Sequence, residues 1–328
     1  MEFDNMTIGV VGLGMMGSSI AADLLMHDQK VVALSPVPNR LDQAAPERIR
    51  YYLDVCWQQG LLEEEPAYYQ RRITYCADYR DLQNCELVLE CVVENIDIKK
   101  AVFAAIEAVV APDAIITTNT SAIPINDLQP FLQRPERFFG MHFAEPAFTT
   151  RFLEIICGKQ SDLGIGEALH TLATRWGKEP TLVRKDIRGF ITNRLMYALY
   201  REAFYLVENQ YATIEDVDRA CKNDAGHWMT FCGPFRYMDL TGLQAYHHVI
   251  KDLFPTLSNQ TTTPQLIDDI ARSGGNGTAN GNGFYQYTPE QATQWEKAFE
   301  DFSFAIRRLS AEHTLNPSTQ KADVPESL

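Results

Sequence analysis

The sequence predicts a two-part α/β chain, a doubly wound parallel sheet followed by an all-α C-terminal domain. Three observations predict it. Apolar, strand-like runs alternate with helical stretches from Thr7 to about Lys185. A glycine-rich turn, Gly12-Leu13-Gly14-Met15-Met16-Gly17, joins the first such run to the first helix. Beyond about Asp186 the strand pattern stops and the apolar periodicity is helical. The boundary is placed there, giving domains 1–186 and 187–328.

In chain order, Ile8 to Val11 reads as a buried parallel strand and Ser18 to Leu25 as the helix after it. The turn between them carries G-x-G-x-x-G. Gly12 permits the tight exit from the strand, Gly14 lets a pyrophosphate approach the backbone, and Gly17 lets helix and strand pack closely. In that context the motif predicts a Rossmann-type dinucleotide site made by Gly12, Leu13, Gly14, Met15, Met16 and Gly17. Lys30 to Leu34 is the second strand, and Ser35 stands at its end, where a carboxylate usually binds the adenosine ribose. Ser35 with Arg40 suits the 2′-phosphate of NADP; equally, Arg40 opens the next helix on its solvent face.

Arg40 to Gln59 reads as helix, Ile73 to Cys76 as a short strand, and Leu87 to Val93 as a buried strand running into a helix that ends near Val110. Further strands are Ala114 to Thr118, Phe138 to Phe143 and Phe152 to Ile156. The second domain reads as helices over Gly189 to Asn209, Ile214 to Asn223, Pro234 to Phe254, Pro264 to Ser273 and Pro289 to Ala311. Ser273 to Gly283, rich in Gly and Asn, reads as a flexible loop, and Thr314 to Leu328 as a disordered polar tail.

Composition narrows the partners. With 328 residues, 45% of them hydrophobic, the chain can bury the cores of two domains. A net charge of −14 argues against nucleic acid and anionic membranes, but not against a small anionic ligand held at a local basic spot. The seven cysteines are scattered, with no C-x-x-C, and read as reduced thiols of a cytoplasmic protein without a bound metal. No signal peptide or membrane-spanning run is expected.

His142 ends a strand of an open α/β sheet, where ligands bind. A dehydrogenase acting on a hydroxyl needs a base for the O–H proton, and histidine suits that at neutral pH. Glu154, on the next strand, is placed to orient the imidazole. On spacing alone, a structural strand histidine is the more common reading.

The order Gly12 to Gly17, Glu94-Asn95, Asn119-Thr120-Ser121, Met141-His142-Phe143, Leu153-Glu154, Gly189 to Leu195, Gly233-Pro234-Phe235 with Asp239, and Gly281 to Tyr285 resembles the 3-hydroxyacyl-CoA dehydrogenases. The resemblance spans about Ile8 to Tyr287. It implies an NAD-dependent oxidoreductase that interconverts a 3-hydroxyacyl-CoA and its 3-oxo form, with a dimerising helical domain and a place in fatty-acid metabolism. By position His142 is similar to the family's base and Glu154 to its partner. Ser121 and Asn193 match residues that bind the substrate's oxygens. Glu94 and Lys99 match residues on the nicotinamide side, near Asn119.

Three departures stand out. Ser35 replaces the ribose-binding Asp. Glu145 replaces an Asn beside the nicotinamide. Ile49 to Gln59 is aromatic where the family has a basic clamp for CoA, with Gln59 at a lysine position. Relatives acting on free hydroxy acids, such as carnitine and gulonate dehydrogenases, also lack that clamp, and Trp228 leans toward them. A carrier-protein-bound acyl group and a non-catalytic cofactor binder are further alternatives.

Overall fold

The computed structural model describes residues 6–36 and 43–313. Two compact units divide the chain, the first running to Met196 and the second beginning at Tyr197.

The first unit is built on one eight-stranded sheet. Its strands are β1 (Thr7–Val11), β2 (Lys30–Leu34), β3 (Ile73–Cys76), β4 (Leu87–Glu90), β5 (Ile115–Thr118), β6 (Phe138–Phe143), β7 (Phe152–Cys157) and β8 (Glu179–Val183). Their spatial order is β3-β2-β1-β4-β5-β6-β7-β8. The strands are almost continuously apolar, as strands covered on both faces must be. Helices α1 (Met15–Met26), α2 (Ala45–Gln58), α3 (Pro66–Gln70), α4 (Ile96–Glu107), α5 (Ile125–Leu128) and α6 (Leu163–Arg175) complete the unit. The chain runs from β1 outward to β3, then returns past β1 to β4. That reversal opens a crevice at the carboxyl ends of β1 and β4.

Strictly parallel alternation fails at β6 and β7, which pair antiparallel. The connection between them, residues 144–151, is shorter than the dozen or so residues a crossover needs. β8 follows β7 in parallel, with α6 between them. β8 itself, Glu-Pro-Thr-Leu-Val, had no distinct strand signal. The reversal places His142 directly opposite Glu154 in the β6–β7 register.

The second unit is helical. It contains most of α7 (Thr192–Glu208), then α8 (Ile214–Asn223), α9 (Ala225–Met229), α10 (Pro234–Thr241), α11 (Leu243–Leu253), α12 (Gln265–Arg272) and α13 (Pro289–Glu312). The single helix expected over Pro234 to Phe254 is two, because Gly242 at φ 101° breaks it, a conformation strained for side-chain-bearing residues. The Gly/Asn segment expected to be flexible is tied by Asn280, whose side chain accepts from the Asn276 amide and donates to the Gly274 carbonyl. The polar tail from Thr314 lies outside the described residues. No helix among the described residues is long and apolar enough to cross a membrane. None of the seven cysteines forms a disulfide.

Candidate active site

The glycine turn has the geometry its spacing implies. Gly12 has φ +95°, and a Cβ there would lie 2.9 Å from the Cys91 backbone. A Cβ on Gly17 would lie 1.8 Å from the Gly12 carbonyl oxygen, an impossible contact. A Cβ on Gly14 would meet nothing within 4 Å, so this residue faces open space. Gly14 is also the N-cap of α1, and no side chain caps that helix. Its first amides and its dipole are therefore suited to a phosphate. Arg48 of α2, which sequence reasoning missed, adds positive charge to the turn. Its guanidinium donates to the Leu13 carbonyl at 2.5 Å and to Ser18 Oγ at 3.3 Å. These residues fit a dinucleotide. Ser35 is buried, with its amide donating to the Cys76 carbonyl. Arg40 lies outside the described residues.

Beside the turn is a cleft of about 270 Å³ lined by Met16, Cys91, Val92, Glu94, Asn119, Ser121 and Ala122. Asn119 and Ser121 come from the end of β5, and Glu94 lies just before α4, which Asn95 caps by accepting from the Ile98 amide. Glu94 Oε1 accepts from the Thr120 hydroxyl and from the amides of Ser121 and Ala122. Burial opposes its ionisation. The Thr120 hydroxyl, the Lys99 ammonium and those amides outweigh that effect and hold the carboxyl below its ordinary value.

Lys99 does not line the cleft. It is 1% exposed, and its Nζ sits 2.8 and 2.9 Å from the two oxygens of Glu90 and 3.5 Å from Glu94 Oε2. Glu90, at the end of β4, also accepts from the Thr118 hydroxyl at 2.6 Å and the Val92 amide at 2.6 Å. Burial still pushes its carboxyl above the ordinary range. Glu90 was missed because the apolar run reads as a strand continuing to Val93, and a single acidic residue within it carries no local signal of a buried partner.

His142 Nδ1 lies 2.9 Å from Glu154 Oε2. Glu154 Oε1 accepts from the amides of Ile191 and Thr192 at 3.0 and 2.9 Å. Those are donors at the start of α7, which an α-helix cannot satisfy internally. The chain reaches them through Gly189 and Phe190, at φ 79° and 50°. Burial pushes the Glu154 carboxyl up. The imidazole bond, the Thr192 amide, the His142 charge and the Ile191 amide outweigh it, and the carboxyl stands below its ordinary value. The rings of Phe152 and Phe190 flank the imidazole at 5.6 and 5.7 Å.

Asn119 Oδ1 accepts from the Phe143 amide at 2.9 Å, tying the end of β5 to the residue after His142. Asn193 Nδ2 donates to the Ser121 carbonyl at 2.9 Å. The sequence-predicted set His142, Glu154, Asn119, Ser121, Asn193 and Glu94 is thus joined by direct contacts or shared neighbours. Glu145 is exposed in the β6–β7 connection. Tyr52 of α2 packs on Phe148 of that connection at 4.9 Å. Burial, chiefly, and the Glu145 charge raise the Tyr52 hydroxyl above its ordinary value. Asp23 and Lys178, unforeseen in the sequence, form a second buried ion pair at 2.9 Å.

Residues 7–187 match the family model "3-hydroxyacyl-CoA dehydrogenase, NAD binding domain", and residues 189–287 match "3-hydroxyacyl-CoA dehydrogenase, C-terminal domain". The chain is 34% identical to a 5-formyl-3-hydroxy-2-methylpyridine 4-carboxylate 5-dehydrogenase of Mesorhizobium japonicum, over 92% of this chain and 97% of the relative. It is 32% identical to an L-carnitine dehydrogenase of Pseudomonas putida, over 80% and 84%. A crystal structure of the pyridine carboxylate enzyme, described as an NAD+ dependent dismutase, superposes with a TM-score of 0.86 at 30% identity, covering 94% and 99%. The (S)-3-hydroxybutyryl-CoA dehydrogenase PaaH1 from Ralstonia eutropha superposes at 0.72 with 29% identity, covering 87% and 100%.

Proposed function

We propose the following reaction for this chain, which belongs to the 3-hydroxyacyl-CoA dehydrogenase family and carries its NAD-binding domain: hydride transfer between the hydroxyl-bearing carbon of a 3-hydroxyacyl group and the cofactor, with His142 as the base. The observation that carries this reading is the relay from the Ile191 and Thr192 amides through Glu154 to His142 Nδ1. Glu154 engages Nδ1, so Nε2 is left to take the hydroxyl proton. Glu154 also stabilises the imidazolium that results. NAD, when bound, supplies the hydride acceptor. Gly12, Leu13, Gly14, Met15, Met16 and Gly17 hold its phosphates, while Asn119, Glu94 and Glu145 flank the nicotinamide side. Ser121 and Asn193 place the developing carbonyl oxygen. Lys99 acts from beneath, holding Glu90 and Glu94.

The first reading of the substrate is the 3-hydroxyacyl-CoA thioester. A specific observation favours a second, a free hydroxy or oxo acid. Helix α2 exposes Tyr51 and Trp57 beside a single exposed arginine, Arg50, and ends at Gln58 with Gln59 as its C-cap, so it presents no row of basic side chains. The pyridine carboxylate relative bears no CoA in its name, and its structure covers 94% of this chain against 87% for the (S)-3-hydroxybutyryl-CoA dehydrogenase PaaH1.

The second unit is proposed to pair with a second copy. Helices α7 to α12 contribute no buried residue, and Phe235, Phe299 and Phe302 are 80%, 67% and 61% exposed. Apolar exposure on that scale marks an association surface.

Steady-state turnover of acetoacetyl-CoA and of acetoacetate, each with NADH and NADPH, tests the reading. Turnover of the thioester alone establishes the first substrate and turnover of the free acid alone the second. Preference for NADPH would mean that Ser35 and Arg40 form a 2′-phosphate site. Absence of hydride transfer with every 3-oxo compound, in a protein that binds NADH, would overturn the proposal.

A further inference from the structure

The connection between β6 and β7 joins the strand of His142 to the strand of Glu154, and helix α1 and the start of β8 hold it. Ser19 and Asp23 lie one turn apart on α1 and so share a face. Ser19 Oγ accepts from the Ala147 amide. Lys178 Nζ donates to Asp23 Oδ1 at 2.9 Å, to the Ala147 carbonyl at 2.6 Å and to the Thr150 carbonyl at 3.0 Å. These three acceptors match the three N–H donors of an ammonium. Lys178 Nζ also stands 5.8 Å from the centre of the Phe143 ring, next to His142. Lys178 is 2% exposed and Asp23 0%.

Stability alone is a poor reason for such a pair. Desolvating two charges offsets most of their attraction, and apolar residues of similar volume often serve as well. What apolar packing lacks is direction. Three directed bonds from one ammonium fix α1, the connection and β8 in a single arrangement.

We propose that Lys178, Asp23 and Ser19 are positioning residues, a clamp that fixes the His142–Glu154 pair relative to the glycine turn at the start of α1. The inference rests on the functional reading above, because α1 would hold the cofactor and His142 the proton. The clamp sets the distance between the two. A misplacement of about 1 Å in such geometry costs rate on the order of a hundredfold.

The test uses the full-length protein and two readouts. The first is the downfield imidazole N–H proton bonded to Glu154, observed by NMR and assigned by its loss in His142→Gln. The second is the division of effect between kcat and KM. The variant Asp23→Asn/Lys178→Met removes both charges together, so neither is left buried alone. The expected result is a shifted or broadened imidazole proton, a kcat lower by about tenfold to a hundredfold, and KM and NADH affinity within about threefold of wild type. A merely structural role would lower the melting temperature while leaving the proton and kcat per folded molecule unchanged, and that result overturns the proposal. Should the double variant not fold, Ser19→Ala decides the matter. It removes a single acceptor, and it must shift the same proton and lower kcat by about threefold or more; no change in either overturns the clamp. A wild-type protein that shows the imidazole proton but transfers no hydride fails the functional reading instead, and the proton shift in the variants still judges the clamp.

Discussion

Glu154→Gln replaces one oxygen by an NH2 group and leaves the side-chain volume almost unchanged. In the wild type, Oε1 receives the amides of Ile191 and Thr192, and Oε2 receives His142 Nδ1. A glutamine that keeps its oxygen toward the two amides turns its NH2 toward Nδ1. Two donors cannot share a hydrogen bond, so the imidazole must present a lone pair at Nδ1 and carry its proton on Nε2. The base then has no lone pair for the substrate's proton. The opposite rotamer faces NH2 toward two N–H groups and unsatisfies the start of α7. Loss of a positioned base costs about 10²–10⁴ in rate, or roughly 3–5 kcal/mol of barrier. Hydrogen bonds to a charged group contribute about 1.5–3 kcal/mol each, so some stability is lost as well. The barrier effect is the larger and decides the assay. Turnover is followed by NADH absorbance at saturating substrate, with NADH affinity measured by protein fluorescence. kcat should fall by about 10²–10⁴ while NADH affinity stays within about threefold. A folded variant with kcat within about threefold of wild type would refute the assignment of Glu154 as the orienting partner.

Gly17→Ala should abolish NADH binding in calorimetric titration, because its Cβ would overlap the Gly12 carbonyl oxygen at 1.8 Å, whereas Gly14→Ala, with open space at that position, should fold and lose affinity only through its approach to the phosphates. Lys99→Met should lower the melting temperature strongly, since breaking a buried pair at one partner costs about 3–5 kcal/mol, and Lys99→Met/Glu90→Gln should recover much of it. Glu154 and Glu94 are held below their ordinary value, so each contributes stability that is complete above about pH 4.5 and is lost as pH falls through the folded-state value; Glu90, held above that value, contributes with the opposite sign. Melting temperatures across acidic pH should therefore drop less steeply in Glu154→Gln than in wild type.

The dinucleotide turn was legible in the sequence because its chemistry is local. Strand, three glycines and helix are contiguous, and each glycine's role follows from the space around it. His142 opposite Glu154 was legible because a short connection constrains two neighbouring strands. Other features carried no local signal. Glu90, Asp23 and Lys178 are single charges within a strand run, within a helix and in a stretch with no distinct strand signal, and Asp23 meets Lys178 across 155 positions of sequence. Arg48 likewise reaches back 35 positions to the turn from the following helix, and nothing local in the sequence marks that contact. The break at Gly242 was missed because the apolar spacing runs through it, while the backbone conformation there does not.

The central claim is that His142 takes the hydroxyl proton as hydride moves to NAD. Single-turnover oxidation of NADH, with the accepted 3-oxo substrate in excess, compares wild type and His142→Gln most directly. The account predicts unchanged NADH affinity and a rate of hydride transfer lower by about 10² or more in the variant. Hydride transfer at the wild-type rate in a folded His142→Gln protein would contradict it.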